Sequence, residues 1–329
     1  MKFYEIIVYH NEEGMAPQLR QYLKSVIEQE ELVTIKKEWE KGYHLKLVGI
    51  MPEEQAITIY ETLHTLVEKY PSPHYDAEAF VCKYDKVARF YSKTITVEDI
   101  VQNTVRMKEV PDLFGFQNRE QLELYLRLHH TFDRYYAKHY WKRDIDIVQI
   151  TRDIFFFFQS LPDKKLFNSG ELLSNGYISH LSHYLGFLHS LGRKQQEQIS
   201  ATFEKRATAD FPLVVQQTIK NVLIKGLEEH TATLHSLVDA GYVNFYSPKR
   251  EEDFLQIAHS SSARHQAIYR DEHKKRLIKT DKVAITNRWI LNVLYEKLVV
   301  LDIKPIDKFY MNYLFSTIRF TQKQIGGVV

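Results

Sequence analysis

The stretch "TIKKEWEKGYHLKLVG", residues 34–49, decides how the beginning of the chain folds. Apolar and polar residues alternate along it, which is the period of a β-strand that buries one of its faces. Trp39, Gly42 and His44 interrupt this alternation near its centre. The stretch therefore predicts strand structure, and it leaves two roles open for His44: a member of a chemical site, or a residue at the edge of an ordinary sheet.

The sequence around this stretch predicts an α+β fold, with a small mixed sheet and helices in the N-terminal third. Short β-type runs alternate there with stretches that have apolar residues at three- and four-residue spacing, at 3–10, 15–29, 34–51, 53–70 and 77–92. Elements in this order pack as a sheet covered by helices. We expect one such layer over residues 1–95.

After residue 95 the pattern becomes helical. Segments with helical spacing follow one another from 97–107 to 304–319, and Pro or Gly residues mark several of the breaks between them. No internal repeat and no low-complexity linker separates the two parts of the chain. We therefore expect a mainly helical part, residues 96–329, packed on the sheet layer as one structural unit.

Composition limits the possible partners. Lys and Arg number 44 against 42 Asp and Glu, so a net charge of +2 gives no general attraction to nucleic acid or to acidic membranes. A single cysteine, Cys82, excludes an internal disulfide and a cysteine zinc cluster. No secretory signal pattern and no apolar run of about 18 residues is present. We expect a cytoplasmic protein that binds neither nucleic acid nor a membrane.

The histidine-rich run "HHTFDRYYAKHYW", residues 129–141, does not have the spacing of a metal motif. His129 and Asp133 share a helix face, but His139 lies ten residues from His129. The run is interpreted as an aromatic-rich surface helix. Glycine-rich phosphate loops are also absent, so the sequence predicts neither a metal nor a nucleotide cofactor.

The run "YISHLSHYLGFLH", residues 177–189, has the residue types of acid/base chemistry. Ser179 and His183 are four residues apart, and His180 lies on the neighbouring row of the same predicted helix. Histidine exchanges protons near neutral pH, so the pair is a candidate for proton transfer. Hydrogen-bonded histidines of a core helix would give the same pattern, and no partner acid at readable spacing supports a hydrolase triad.

Three quoted stretches resemble one protein family. "IKKEWEKGYHLKLV" is similar to F-I-R-Y-W-x-G-G-P-H-L-R-L-R, and it matches at Trp39, Gly42 and His44. "YDKVARFYS" resembles a second segment and places Arg89 on its arginine, and "ILNVLYEKLVVLDIKPIDKFYMNYL" resembles the family's L-H-x-H-x-N-R-L-x-G segment. The family comprises the C-terminal elimination domain of class I lanthipeptide dehydratases and stand-alone thiopeptide biosynthesis proteins.

The chain departs from the eliminating members of this family. Their first-strand arginine falls on Lys37, and the two histidines of the terminal motif fall on Asn292 and Leu294. Asn and Leu cannot replace imidazole in proton transfer, which argues against elimination of glutamate from a glutamylated peptide. The resemblance implies instead a thiopeptide pyridine synthase, which joins two dehydroalanines of a ribosomal precursor peptide in a formal [4+2] cycloaddition and releases water and the leader peptide. This chemistry requires no cofactor.

The resemblance and the residue patterns together give a set of site residues. The predicted catalytic residues are Ser179, His180, His183 and Arg89, and the predicted substrate-binding residues are Trp39, His44, Lys37 and Tyr295. The leader of the precursor peptide is expected to add as a strand to the sheet edge, near Lys36 and Lys37. Two alternatives remain open: a stand-alone glutamate-elimination enzyme of a split dehydratase, and a non-catalytic peptide-binding component.

Overall fold

The computed structural model describes residues 1–11, 15–90, 93–111, 113, 115–161, 175–215, 221–259, 266 and 269–325. Within them lie four strands, β1 (Lys2–Tyr9), β2 (Val33–Glu38), β3 (His44–Met51) and β4 (Thr104–Glu109). The helices are α1 (Pro17–Gln29), α2 (Glu53–Lys69), α3 (Ala77–Phe90), α4 (Arg119–Tyr136), α5 (Ile147–Ser160), α6 (Asn175–His189), α7 (Arg193–Val214), α8 (Val222–Asp239), α9 (Glu251–His259), α10 (Glu272–Lys279), α11 (Lys282–Val300) and α12 (Pro305–Ile325). None of the described helices is both long enough and apolar enough to cross a membrane.

The four strands form one sheet in the order β2-β3-β1-β4, and all neighbouring pairs are antiparallel. The predicted α+β fold is confirmed, whereas the expected mixed sheet is wrong. The reason lies in the opening stretch, because the run 34–51 is two strands joined by a tight hairpin. Gly42 makes this turn with a φ of 104°, and a Cβ there would lie 2.4 Å from the Tyr75 hydroxyl.

Two secondary-structure predictions near the sheet are wrong. The run 77–92 was expected as a strand, but Ala77–Phe90 is a helix that begins where the Asp76 side chain accepts hydrogen bonds from the backbone N–H groups of residues 78 and 79. The segment 97–107 was expected as a helix, but it contains a short 3-10 turn, Val97–Asp99, and the start of β4. The sheet thus takes its fourth strand from beyond residue 95. The division of the chain at that residue stays a prediction.

Helix α4 lies inside the protein, so its interpretation as a surface helix is wrong. Ten of its residues are buried, including His129, Phe132, Asp133 and Tyr136. It packs against β2 on one side and against α8 and α11 on others. The polar residues of the run 129–141 suggest a surface helix from sequence alone. In the structure several of them are buried, because they bind partners from distant parts of the chain.

The most buried of these partners is an ion pair between Asp133 of α4 and Lys297 of α11. Both side chains are 0% exposed, and the ammonium nitrogen lies 2.6 Å from a carboxylate oxygen. Lys297 also donates to the Thr34 hydroxyl (2.6 Å) and to the Ile35 carbonyl (3.1 Å) of β2. Asp133 in turn accepts hydrogen bonds from the hydroxyls of Thr34 (2.7 Å) and Tyr140 (2.6 Å). Burial lowers the pKa of Lys297, and these partners compensate its charge.

We expect Lys297→Met to lower the free energy of unfolding by about 3–5 kcal/mol, because it leaves the Asp133 carboxylate buried without a counter-charge. Urea denaturation followed by circular dichroism measures this change. Lys282→Met is the matched control, since Lys282 pairs with Asp239 where the two side chains are 38% and 66% exposed. Its loss should stay below about 1 kcal/mol. Equally small losses in both variants would contradict the assignment.

Candidate functional site

Helix α6 brings two of the predicted histidines against the C-terminal helices, because it packs on both α11 and α12. His180 is fully buried there. Its ring stacks on Phe315 of α12 with 4.2 Å between centroids, and it meets the edge of Phe158 at 5.0 Å. His183, about one turn further along α6, is exposed. The two histidines therefore face an apolar core and the surface respectively.

Asn312 of α12 connects His180 to Tyr295. Its side-chain oxygen lies 2.9 Å from Nδ1 of His180 and accepts a hydrogen bond from the Tyr295 hydroxyl at 2.8 Å. Because this oxygen is an acceptor, Nδ1 of His180 carries the proton. Burial lowers the pKa of His180 to about 3, so the ring is uncharged at neutral pH and donates to Asn312.

Tyr295 is the point where the buried and accessible groups meet. The His183 ring lies edge-on to the Tyr295 ring, with 4.9 Å between centroids. Burial raises the pKa of the Tyr295 phenol well above its ordinary range, so the hydroxyl stays protonated. Its proton is directed to Asn312, which leaves the phenolic oxygen as a hydrogen-bond acceptor for another group.

Lys308 of α12 adds a cation to this cluster. Its ammonium nitrogen lies 5.0 Å from the centre of the Tyr295 ring and 4.7 Å from that of Phe309. Among the described residues, no carboxylate lies within ion-pair distance of it, and burial lowers its pKa. Sequence reasoning missed both Lys308 and Asn312. Their four-residue spacing on one helix was the available signal, but their role depends on contacts with Tyr295 of α11.

Helix α11 presents a row of accessible side chains along a largely buried helix. Thirteen of its residues are buried. Asn292 and Val299 are exposed, and Arg288 and Tyr295 are partly exposed. Residues spaced 4, 3 and 4 apart lie on one face of a helix, so these side chains form a single row. We call this row the α11 stripe.

The other predicted catalytic residues lie elsewhere. The backbone of Ser179 belongs to α6, but its side chain is outside the described residues. Arg89 is on α3, where its exposed guanidinium pairs with Asp85 at 2.8 Å. Trp39, in the β2–β3 turn, stacks on Tyr84 of the same helix with centroids 5.2 Å apart. The hairpin turn and α3 thus bring Trp39 and Arg89 to one region, on elements other than the one that carries the two histidines.

His44 and Lys37 are held by partners within the fold. His44 is buried at the start of β3, with Nδ1 2.9 Å from the Gly42 carbonyl and Nε2 3.6 Å from Glu38. Burial by itself would raise the pKa of Glu38, but the nearby His44 and the hydrogen bond from Lys46 (2.7 Å) outweigh it and lower the pKa to about 2. Lys37 forms an ion pair with Asp302, just after α11.

The outer edge of β2 is occupied at one point. The backbone N–H and C=O groups of Thr34 and Lys36 point toward β3. The carbonyl of Ile35, which lies between them, therefore points to the free edge of the sheet, where it accepts a hydrogen bond from the buried Lys297. A peptide strand that added along β2 would have to displace this ammonium. Lys36, the other residue expected at this edge, pairs with Glu296 at 2.9 Å.

The histidine-rich run serves other contacts. Burial lowers the pKa of His129 well below its ordinary value, and His139 lies 2.9 Å from Asp144. Nowhere in the part of the chain that the structure describes do three His, Cys, Asp or Glu side chains lie where they could hold a metal ion together.

The low pKa of Glu38 makes stability depend on acid pH. A carboxyl group whose pKa in the folded state lies near 2, below its ordinary 4.5, stabilises the fold above pH 4.5 and loses this contribution as the pH falls toward 2. We therefore expect the free energy of unfolding to fall less steeply from pH 5 to pH 2 in Glu38→Gln than in the wild type. Glu54→Gln, at an exposed position of α2, is the control. Equal slopes for all three proteins in urea titrations would show that Glu38 is not held in this way.

Solved structures share this fold over nearly its whole length. The chain is similar to "Pyridine synthase, TbtD, from thiomuracin biosynthesis", with a TM-score of 0.63 and 11% identity over 99% of this chain and 100% of that one. It is also similar to TsrL, with a TM-score of 0.56 and 12% identity over 98% and 95% of the two chains. No family model and no curated protein sequence matches the chain. The resemblance inferred from the sequence is thus confirmed at the level of the fold, which the chain shares with a thiopeptide pyridine synthase.

Proposed function

We propose that this protein is an enzyme of the pyridine synthase type, acting on a ribosomally made precursor peptide. Two dehydroalanines of the peptide are brought together, and the amide that precedes one of them tautomerises to its iminol. The resulting 2-azadiene adds to the second alkene and forms two carbon–carbon bonds. Loss of water, followed by loss of the leader peptide as its carboxamide, makes the ring an aromatic pyridine and closes a macrocycle.

One observation supports this function most strongly. His183, Tyr295 and Lys308 converge beside an accessible stripe, in a fold shared over nearly the full length with a protein named as a pyridine synthase. Fold likeness at this identity does not carry a reaction with it, so the proposal depends on the chemistry of these side chains.

The cluster offers a base, an acceptor and a cation. His183 is the accessible imidazole, and in this proposal it moves protons in the tautomerisation and the two eliminations, each step gaining about 10²–10⁴-fold. The Tyr295 oxygen, fixed by Asn312, accepts the amide N–H of the substrate and orients it. The Lys308 ammonium stabilises negative charge that develops on the iminol oxygen. His180 acts as a positioning residue, because it holds Asn312.

Positioning provides the rest of the acceleration. A cycloaddition between two alkenes of one chain needs mainly that they be held in reactive geometry, which can lower a barrier by about 7–11 kcal/mol. Ser179 is proposed to act beside the two histidines. Trp39, Lys37, His44 and Arg89 are proposed to contact or support the precursor away from the reacting residues. Addition of the leader as a strand along β2 requires that the Lys297 ammonium leave the Ile35 carbonyl.

Mass spectrometry of a defined reaction tests the function. The purified protein is mixed with a synthetic peptide that carries a leader, thiazoles and two dehydroalanines. We expect release of the leader carboxamide together with a core whose mass has fallen by the leader carboxamide and one water. His183→Ala should slow this reaction by about 10²–10⁴-fold. His64→Ala is the matched control, because His64, like His183, is an accessible histidine on a helix. The carboxylate near His64 is Glu68 of the same helix.

The alternative outcomes are separable in the same assay. Lys308→Met should reduce kcat more than it raises KM, because the proposed charge develops only during the reaction. An unchanged peptide would contradict the proposal, and a glutamylated peptide would then be offered to the protein. Loss of glutamate from that second peptide would establish an eliminase instead.

A further inference from the structure

Arg288, at the first accessible position of the α11 stripe, lies in an aromatic setting. Its guanidinium carbon is 4.5 Å from the centre of the Phe254 ring and 5.1 Å from that of Phe245. Phe254 in turn contacts the buried Tyr246 and Tyr269, with centroids 5.2 and 5.3 Å away. The guanidinium therefore packs against Phe254 and Phe245, which belong to a group of four aromatic side chains, while the residue as a whole stays partly exposed.

Among the residues that the structure describes, Arg288 has no acidic partner. Its Nη1 atom is buried and makes no hydrogen bond, and among the described residues no carboxylate lies within 4.0 Å of the guanidinium. Two of the three acids of the adjacent α9 pair with other cations, Glu251 with Lys279 at 2.6 Å and Asp253 with Arg250 at 3.1 Å, and the third, Glu252, is exposed. Burial lowers the pKa of Arg288 to about 10. A desolvated cation without a counter-charge is costly, so the fold keeps it against a penalty.

Arg206 is an arginine of the same protein that has both an aromatic neighbour and acidic partners. Its guanidinium carbon also lies over an aromatic ring, 4.0 Å from the centre of Tyr310. Unlike Arg288, it pairs with two carboxylates, Asp210 at 3.1 Å and Asp307 at 2.6 Å. The two arginines share an aromatic neighbour and differ in their acids, which makes Arg206 a matched comparison.

We propose that Arg288 binds a carboxylate of the peptide substrate, placed about three residues from the amide held at Tyr295. A guanidinium whose face lies against aromatic rings still has its N–H edge, which matches the two oxygens of a carboxylate. This proposal rests on the proposed function for its choice of a peptide, and it adds a requirement on that peptide's sequence.

The spacing comes from the helix that carries both residues. Arg288 and Tyr295 are seven residues apart on α11, which is about 10.5 Å along the axis at 1.5 Å per residue. An extended peptide rises about 3.3 Å per residue, so the same distance spans about three residues. Asn292 lies between them on the same face and is exposed, so its amide is available to the intervening peptide backbone.

Binding to an unreactive peptide tests the proposal without turnover. The probes are fluorescein-labelled core peptides in which Ala replaces both dehydroalanines. Each peptide of the series carries a single Glu, placed between one and six residues from one of these two alanines. A matched series carries Gln instead. By fluorescence polarisation with wild-type protein, we expect Glu about three residues away to bind about 10- to 100-fold tighter than Gln. Arg288→Met should abolish this difference, and Arg206→Met should keep it.

A second Arg288 variant and a second pair of peptides complete the binding experiment. Arg288→Lys keeps the charge but loses the planar fork, so we expect it to retain part of the preference, which also guards against a folding defect in Arg288→Met. A peptide with a free C-terminal carboxylate, compared with its amide, distinguishes a chain end from an acidic side chain as the source of the carboxylate. Equal affinity for all acid and neutral pairs in the wild type would overturn the proposal. So would an acid preference that survives Arg288→Met, or one that peaks five or more residues away.

The result is separable from the proposed reaction. Acid-dependent binding without any product from a reactive peptide would leave the Arg288 site standing and remove the cycloaddition. Pyridine formation that is indifferent to a Glu-to-Gln change in the core would do the reverse.

Discussion

The buried pair of Asp133 and Lys297 is the constraint on which the rest of this structure depends. It joins three elements that are far apart in sequence, since Asp133 is on α4, Lys297 is on α11 and both bind Thr34 of β2. A charge removed from water tolerates few geometries, because any shift that separates the partners leaves an ion unpaired. The pair therefore fixes how α11 lies against the sheet.

This placement has a consequence for the opposite face of α11. With Lys297 directed inward to β2, the stripe from Arg288 to Val299 lies on the opposite side of α11, where Tyr295 contacts α6 and α12 and Arg288 contacts Phe254 of α9. The cations of this region then differ by role. Lys297 and Lys36 have acidic partners, whereas Arg288 and Lys308 lie against aromatic rings and have none within the described parts of the chain. Two cations of this kind, Arg288 on the α11 stripe and Lys308 beside it on α12, are suited to a substrate that brings its own negative charge or develops it during reaction.

The sequence allowed the fold class and several elements to be predicted, because β1, α1 and α2 each have one clear hydrophobic period. It failed for α3, where Phe80, Tyr84 and Ala88 have helical spacing but neighbouring aromatic residues also suit a strand. It failed for β4, whose six residues are too few to outweigh the helical pattern around them. In both cases local pattern was ambiguous and tertiary packing decided.

The candidate site was predictable only in part, for a similar reason. The histidines of α6 stood out through their spacing, and Tyr295 through the resemblance of its surroundings to a known motif. Asn312 and Lys308 were missed because their roles come from contacts across more than a dozen residues of sequence. His44 is buried in the hairpin, with a ring nitrogen close to the Gly42 carbonyl and the other near Glu38, and a role toward the precursor stays a prediction.

The central claim is that the precursor core lies along the α11 stripe, and photo-crosslinking tests it most directly. p-Benzoylphenylalanine is placed at position 292 in one protein and at position 39 in another, and each is irradiated with the unreactive core peptide. The account predicts that the core crosslinks from position 292, between Arg288 and Tyr295. Crosslinking of the core from position 39 alone would contradict it and would move the reaction site to the hairpin and α3.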